Sequence, residues 1–278
     1  MTVAIVTDSA AALPADLAAR YHVRVVPLLM TTHGTTFRDG EVPVDSLLDA
    51  EDLETSGPSP GDFATVIAER MNTDGVVVLT LASSMSSTYQ SATIAGSSTS
   101  GPVSVIDTQT AAGAEALVVL AAAQAAAGGA SFDAVVQVAE DVIARVRLVA
   151  TVPSLEHLAR SGRVPGLAEW VGRKLRVAPL FEFAASTVRS LRPALGIDAA
   201  YERMVHLVLS SRVAGARLHV AAYHSLAPDA AARLLEELER EVTPASAFVG
   251  EFSAVMVAHT GPGLVGLAWW WQDAPDGG

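Results

Sequence analysis

Hydrophobic and polar positions along the first half of the chain alternate between strand-like and helix-like patterns. Four apolar runs have the length of buried strands, at residues 3–6, 23–29, 75–82 and 103–108. The run at residues 3–6 is continuously apolar, which is typical of a strand that is covered on both faces. Stretches with helical character fall between and after them, at residues 14–21, 45–52, 61–71, 88–95, 110–127 and 132–146. This order predicts an α/β fold with a parallel sheet flanked by helices.

The texture of the chain changes near residue 148. Shorter strand-like runs follow at residues 148–152, 180–183, 188–191, 217–224, 245–251 and 264–271, with helical stretches at 153–160, 197–211 and 227–241. We therefore predict two domains: an N-terminal α/β domain over residues 1–148 and a smaller C-terminal α/β domain with a mixed sheet over 149–272. Residues 273–278 are predicted to form a flexible tail.

Hydroxyl side chains cluster where the third strand ends. Ser83, Ser84, Ser86 and Ser87 lie between this strand and the helix predicted from Thr88. A helix start leaves backbone N–H groups without partners, so such a cluster can hold an oxyanion. Helix capping explains the same serines equally simply.

Other polar residues are expected at the same edge of the sheet, where α/β proteins bind ligands. Asp8 and Ser9 follow the first strand, and Asp107 follows the fourth. Residues 55–60, with two prolines, a glycine and three hydroxyls, predict a loop. Residues 35–40 end in an Asp-Gly turn signal and predict a small hairpin or flap.

His259 is predicted to end a strand, next to Thr260 and a turn formed by Gly261, Pro262 and Gly263. Glycines let a backbone approach a ligand closely, so this histidine is a candidate for the site. A simple packing role for His259 remains an alternative.

Composition narrows the classes of partner. The net charge of −12 disfavours nucleic acids and anionic membranes, which require basic surfaces. The chain has no cysteine, so disulfides and thiolate metal sites are excluded. The apolar stretch over 111–130 is interrupted by Glu115, Gln124 and the Gly128-Gly129 pair and predicts a buried helix, not a membrane span. With no recognisable signal peptide, a cytoplasmic location is expected.

Familiar catalytic signatures are missing from the sequence. The first strand is not followed by a glycine-rich dinucleotide motif, and there is no Walker-type phosphate loop. The seven histidines show no metal-ligand spacing, so we predict no metal site. The serines around Ser86 lack the flanking glycines of a nucleophile elbow, which disfavours a serine hydrolase. Asp8 and Asp107 are acid/base candidates, but turn formation explains each of them as well.

Six motifs, taken in order, resemble the DegV family of bacterial fatty-acid-binding proteins. They are residues 7–9, 55–59, 83–92, 107–108, 155–164 and 259–266, and the resemblance spans essentially the whole chain. It implies a two-domain α/β protein that holds one fatty acid in a tunnel between its domains. It also implies a carrier subunit that presents the carboxylate to a separate ATP-using kinase, which forms the acyl phosphate, so no turnover and no cofactor are expected of this chain.

The resemblance also suggests which residues bind the acid. Thr55 and Ser86 would hold the carboxylate, with the other members of the site nearby: Ser9, Ser83, Ser87, His259, Thr260 and Gly261. Arg163 and Arg173 are candidates for a surface that faces the kinase.

The chain departs from the family pattern at three places. Gly57 stands where the family usually has glutamine, Ser87 where it has glycine, and Ser161 where a Gly-Gly-Arg turn begins. The first departure removes a side-chain donor near the site, and the second adds a Cβ atom close to the expected carboxylate. An enzyme acting on small acyl or phosphoryl substrates, on a fold like that of dihydroxyacetone kinases, is the alternative function.

Overall fold

The computed structural model describes residues 2–44, 52–162 and 177–274. In chain order, the strands of the described residues are β1 (Ala4–Asp8), β2 (Arg24–Val26), β3 (Leu29–Thr32), β4 (Thr35–Arg38), β5 (Glu54–Ser56), β6 (Val76–Thr80), β7 (Val103–Asp107), β8 (Arg147–Thr151), β9 (Ala178–Ala184), β10 (Thr187–Ala194), β11 (Arg217–His224), β12 (Ser246–Glu251) and β13 (Val265–Gln272). The helices are α1 (Ala15–Arg20), α2 (Pro60–Arg70), α3 (Thr88–Ser97), α4 (Ala112–Ala127), α5 (Phe132–Ile143), α6 (Glu156–Ser161), α7 (Ile197–Ser210), α8 (Pro228–Glu239) and α9 (Ala254–Thr260).

These strands form three sheets. The first is parallel, in the order β2-β1-β6-β7. The second is mixed, in the order β10-β9-β8-β13-β11-β12, and only its β11–β12 pair is parallel. The third is a small antiparallel sheet, β4-β3-β5. The predicted α/β fold, with a helix-flanked parallel sheet and a mixed sheet, is confirmed.

Strand β6 shows why its apolar run is uninterrupted. Val76 and Val78 pack with α2 and α3 on one face of the parallel sheet, whereas Val77 and Leu79 pack with α4 and α5 on the other. Successive side chains of a strand point to opposite faces, so both sets must be apolar when both faces are covered.

Helix α4 is the buried helix predicted for residues 111–130. It contacts β1 and β6 of the parallel sheet and also β11 and β13 of the mixed sheet. Its alanines and its single glycine permit this close double packing: a Cβ atom on Gly113 would lie 1.9 Å from the ring of Tyr223. The two large sheets therefore share one continuous core across α4. The domain boundary at residue 148 stays a prediction.

Several local predictions were wrong. The second strand is interrupted by Pro27, whose missing N–H cannot join a sheet ladder, so it becomes β2 and β3. The hairpin turns at His33 and Gly34, both with positive φ, and not at the Asp-Gly pair. Thr55 lies in β5, where a loop was predicted.

His259 lies in the last turn of helix α9 and not at the end of a strand. The apolar run before it, without clear period, does not distinguish a short buried helix from a strand.

Some predictions fall outside the described residues: most of the helix at 45–52, the kinase-facing candidates Arg163 and Arg173, and the last four residues of the tail. Within the described ranges, no helix combines the length and apolar character needed to cross a bilayer.

Candidate functional site

The small sheet β4-β3-β5 contacts helix α9 close to its C-terminal end. Thr55, on β5, is aligned with Met30 of β3 by the strand pairing. Its Oγ1 atom lies 2.8 Å from Nε2 of His259, on α9. One hydrogen bond thus joins two residues that lie 204 positions apart in the chain.

The same sheet is linked to the other end of α9 through Asp39, which follows β4. One carboxylate oxygen of Asp39 accepts a hydrogen bond from the backbone N–H of Val255 at 3.4 Å. The other accepts from the hydroxyl of Ser9 at 2.6 Å, and Ser9 in turn accepts from the N–H of Leu28 at 3.0 Å. Hydrogen bonds therefore connect the small sheet and Asp39 to α9 near both ends of the helix.

The hydroxyl-rich loop after β6 lies close to Gly57, two residues after Thr55. The Oγ atom of Ser86 lies 2.8 Å from Oγ1 of Thr88 and also accepts from the N–H of Thr88 at 3.3 Å. Ser87 occupies the N-cap position of α3, but its side chain makes no capping hydrogen bond. Helix capping therefore does not explain Ser87.

A cavity of about 350 Å³ opens between these elements. Its described wall is largely apolar, with seven such residues: Leu28, Leu81, Met85, Ala111, Leu158, Val255 and Met256. Its polar wall consists of hydroxyls, the backbone of Gly57 and one imidazole: Thr55, Ser56, Ser86, Ser87, Ser161, His259 and Thr260. None of the described lining residues is a lysine or an arginine. The cavity thus combines an apolar body with neutral hydrogen-bonding groups.

Five of the predicted site residues line this cavity: Thr55, Ser86, Ser87, His259 and Thr260. The remaining three described candidates, Ser9, Ser83 and Gly261, are not part of its described wall. Arg163 and Arg173 lie outside the described residues.

Each of those three candidates has a visible structural role. The hydroxyl of Ser9 is used by Asp39 and Leu28. The N–H of Ser83 donates to the carboxylate of Asp107 at 3.2 Å. Gly261 ends α9 with φ of +72°, and a Cβ atom there would lie 2.5 Å from the ring of His157. Glycine is required at that position by both conformation and space.

The carboxylates at the strand ends support loops. Asp8 is fully buried and accepts from the N–H groups of Ala10 and Leu81, each at 2.9 Å. Burial raises the pKa of Asp8 from 3.8 to about 7. Asp107 binds the backbone of Ser83 and Gln109 in the same way. These contacts match the turn-forming alternative considered for both residues.

Glu115 is a second fully buried carboxyl, on α4 behind the parallel sheet. It accepts a hydrogen bond from the hydroxyl of Thr7 at 3.1 Å. Burial, reinforced by the neighbouring Asp8, raises the pKa of Glu115 well above its usual value. Among the described residues, no cluster of histidine and acidic side chains is suited to bind a metal ion.

Sequence reasoning missed two kinds of site residue. The apolar wall carries no local signal, because Leu28, Leu81 and Val255 are patterned like core residues. Thr88 was noted only as a helix start, although its hydroxyl is buried against Ser86. The Asp-Gly pair at residues 39 and 40 predicted the hairpin turn. Its aspartate instead accepts a hydrogen bond from the backbone of α9 and takes no part in that turn.

Comparison with known proteins identifies the family to which the chain belongs. The model of the DegV family, described as uncharacterised proteins of that family, matches residues 2–271. The chain therefore belongs to the DegV family.

Individual relatives agree with this assignment. A DegV domain-containing protein of Streptomyces coelicolor is 35% identical over 274 residues, which cover 95% of this chain and 97% of that protein. The structure described as "Fatty Acid Binding of a DegV family Protein from Thermus thermophilus" is 32% identical, with a TM-score of 0.90, and covers 98% of this chain and 100% of its own. DegV of Bacillus subtilis, described as a fatty acid binding protein, is 26% identical with a TM-score of 0.84, covering 98% of this chain and 100% of its own.

Proposed function

We propose that this chain binds one long-chain fatty acid, with the acyl chain along the apolar wall of the cavity and the carboxylate at its polar wall. The observation that carries the proposal is the composition of that cavity: seven apolar residues beside a cluster of hydroxyls and one histidine. Two family members of known structure, from Thermus thermophilus and Bacillus subtilis, are described as binding fatty acids, which supports the same ligand class here.

The apolar wall supplies the affinity in this proposal. Burial of a methylene group contributes about 0.8 kcal/mol, so about fifteen methylenes contribute on the order of 12 kcal/mol before ordering costs are subtracted. Long-range attraction of the acid is not needed, which is consistent with a chain whose net charge is −12.

The polar wall keeps the buried carboxylate hydrogen-bonded, because an unpaired buried charge is costly. In the tautomer that protonates Nε2, His259 donates to Oγ1 of Thr55, and the hydroxyl hydrogen of Thr55 remains to donate to the acid. Ser86 supplies a second hydroxyl beside it. We assign the carboxylate to Thr55 and Ser86, with Ser87, His259 and Thr260 around them.

The neutral character of this wall suits a carrier. A buried arginine clamp would compete for the carboxylate oxygens that a phosphoryl group must reach. We therefore propose that the chain presents its acid to a separate ATP-using fatty acid kinase, which forms the acyl phosphate, and that it has no turnover of its own. Arg163 and Arg173 remain candidates for the kinase-facing surface, and the cytoplasm is the proposed location.

Mass spectrometry of an organic extract from the purified protein tests the ligand class. We expect a long-chain fatty acid at close to one equivalent, or uptake of one equivalent of added palmitate after delipidation. A protein that carries no such acid and takes up none would contradict the proposal. Hydrolytic or transfer activity lost in Ser86→Ala, without bound lipid, would instead favour an enzyme acting on small acyl or phosphoryl substrates.

A further inference from the structure

The hydrogen bonds around Ser86 determine the direction in which its hydroxyl can donate. Its Oγ atom accepts from the N–H of Thr88 at 3.3 Å and is paired with Oγ1 of Thr88 at 2.8 Å. A serine hydroxyl has one hydrogen to donate and two lone pairs to accept with. The role of Thr88 in the second bond therefore decides whether the hydrogen of Ser86 is available to a ligand.

Burial indicates that Thr88 is the donor in that pair. Thr88 is completely buried, and its hydroxyl makes no other hydrogen bond among the described residues. If Ser86 donated to Thr88, the hydrogen of the Thr88 hydroxyl would be buried without an acceptor, which is unfavourable. With Thr88 as donor, both hydroxyls are satisfied once Ser86 donates into the cavity.

We infer that Thr88 is a positioning residue that turns the Ser86 hydroxyl into an obligate hydrogen-bond donor, so that the cavity selects an ionised acid over an alcohol of equal chain length. This inference rests on the proposed function. With the Thr88 hydroxyl as donor, Thr88 fills both acceptor positions of Ser86, one through its hydroxyl and one through its backbone N–H. A carboxylate only accepts hydrogen bonds and satisfies such a donor, whereas the O–H of an alcohol gains no acceptor at Ser86.

Gly57 completes the arrangement. A Cβ atom at residue 57 would lie 2.7 Å from Oγ1 of Thr88 and 3.3 Å from Oγ of Ser86. The space that a side chain would need there is already occupied by the Thr88 hydroxyl. The departure at Gly57 thus matches a site in which the donor is a positioned serine.

Thr88→Val tests the inference, because valine keeps the shape of threonine and removes its hydroxyl. Binding of palmitate and of hexadecanol to delipidated protein is measured by isothermal titration for wild type and variant. We expect palmitate to bind about 10-fold more weakly to Thr88→Val, since Ser86 then has a free lone pair and loses its fixed direction. Hexadecanol should change by less than about twofold, so the preference for acid falls.

Three further variants separate this role from a general effect on the loop. Thr88→Ser should retain the wild-type preference for acid, and Thr93→Val, on the exposed face of the same helix, should leave both affinities unchanged. In a Ser86→Ala background, Thr88→Val should have no further effect on palmitate. In Gly57→Ala the added Cβ atom would lie 2.7 Å from the Thr88 hydroxyl oxygen and should displace it, so the preference should shift in the same direction; this variant keeps the test available if Thr88→Val does not fold.

The outcomes distinguish a failure of the inference about Thr88 from a failure of the proposed function. Equal weakening of palmitate and hexadecanol in Thr88→Val, or an undiminished effect in the Ser86→Ala background, overturns the inference alone. A wild-type protein that binds neither probe overturns the proposed function and the inference with it.

Discussion

Two pairs of polar residues lie near the same edge of the parallel sheet, and the surroundings of the two pairs differ. Asp8 and Glu115 are completely buried and hydrogen-bonded within the protein. Thr55 and Ser86 are only partly buried and line an apolar-walled cavity. The carboxyls hold the frame of the edge in place, whereas the hydroxyls face the space that a ligand would fill.

The difference shows why an acidic residue at a strand end is a poor guide to function here. The Asp8 carboxyl is committed to two backbone N–H groups, one of them in the loop after β6. It secures Leu81, which lines the cavity, without lining it itself. Changes to the carboxyl group should therefore alter stability, and changes to the hydroxyls should alter binding.

The largest effect is expected in the pH dependence of stability. The pKa of Asp8 rises from 3.8 in the unfolded chain to about 7 in the fold. Its contribution to the free energy of unfolding is therefore fully present below pH 3.8 and is lost as the pH rises through about 7. For Asp8 the loss amounts to about 4 kcal/mol. Urea unfolding at pH 4.5 and 7.5 should show a smaller decline in Asp8→Asn than in wild type.

Glu182 provides a control of opposite sign. Burial would raise its pKa, but Arg147 and Arg189 hold the pKa of Glu182 below its usual range. Its contribution is present above the unfolded pKa of 4.5 and lost as pH falls through the lower folded value. Glu182→Gln should thus lower the free energy of unfolding at pH 7.5 and change it little at low pH.

If the free energy of unfolding changed with pH in the same way in wild type and in Asp8→Asn, the role given to Asp8 would be contradicted.

The second effect is on binding. Thr55→Ala combined with Ser86→Ala removes two donors to a charged group, each contributing about 1.5 kcal/mol, and should weaken palmitate binding about 100-fold. The free energy of unfolding should fall by about 1–3 kcal/mol, because Ser86→Ala leaves the buried hydroxyl of Thr88 without its acceptor. Isothermal titration and urea unfolding measure the two quantities. Unchanged affinity would remove both residues from the site.

The smallest effect is expected for Asp39, which connects the small sheet to helix α9. Asp39→Ala releases Val255 and Ser9 and should loosen the contact of the small sheet with α9, weakening palmitate binding by about threefold. Arg38→Ala changes the neighbouring residue, whose partner is Asp62 and not α9, and serves as the control. Equal palmitate affinities for the two variants would show that the hydrogen bond between Asp39 and α9 does not contribute to the site.

Much of the fold could be predicted because its signals are local. The continuous apolar run of β6 and the alanine-rich pattern of α4 follow directly from burial on both sides. The hairpin turn and the form of the segment before His259 were harder. His33 adopts positive φ without any strong turn signal, and α9 is only seven residues long.

The site was predictable in its polar half and not in its apolar half. Thr55, Ser86 and His259 belong to recognisable motifs, and the fold brings all three to one cavity. Leu28 and Val255 look like core residues in the sequence, because a cavity wall and a packed core place the same demand on a side chain. The part of Thr88 depends on the direction of one hydrogen bond, which no residue pattern encodes.

The position of a bound carboxylate tests the central claim most directly. A crystal structure of the protein loaded with palmitate should show the acyl chain along Leu81, Met85 and Leu158. Its carboxylate oxygens should lie about 2.7 Å from Oγ1 of Thr55 and from Oγ of Ser86. A carboxylate bound away from both hydroxyls, or a ligand without an acidic group in the cavity, would contradict the account.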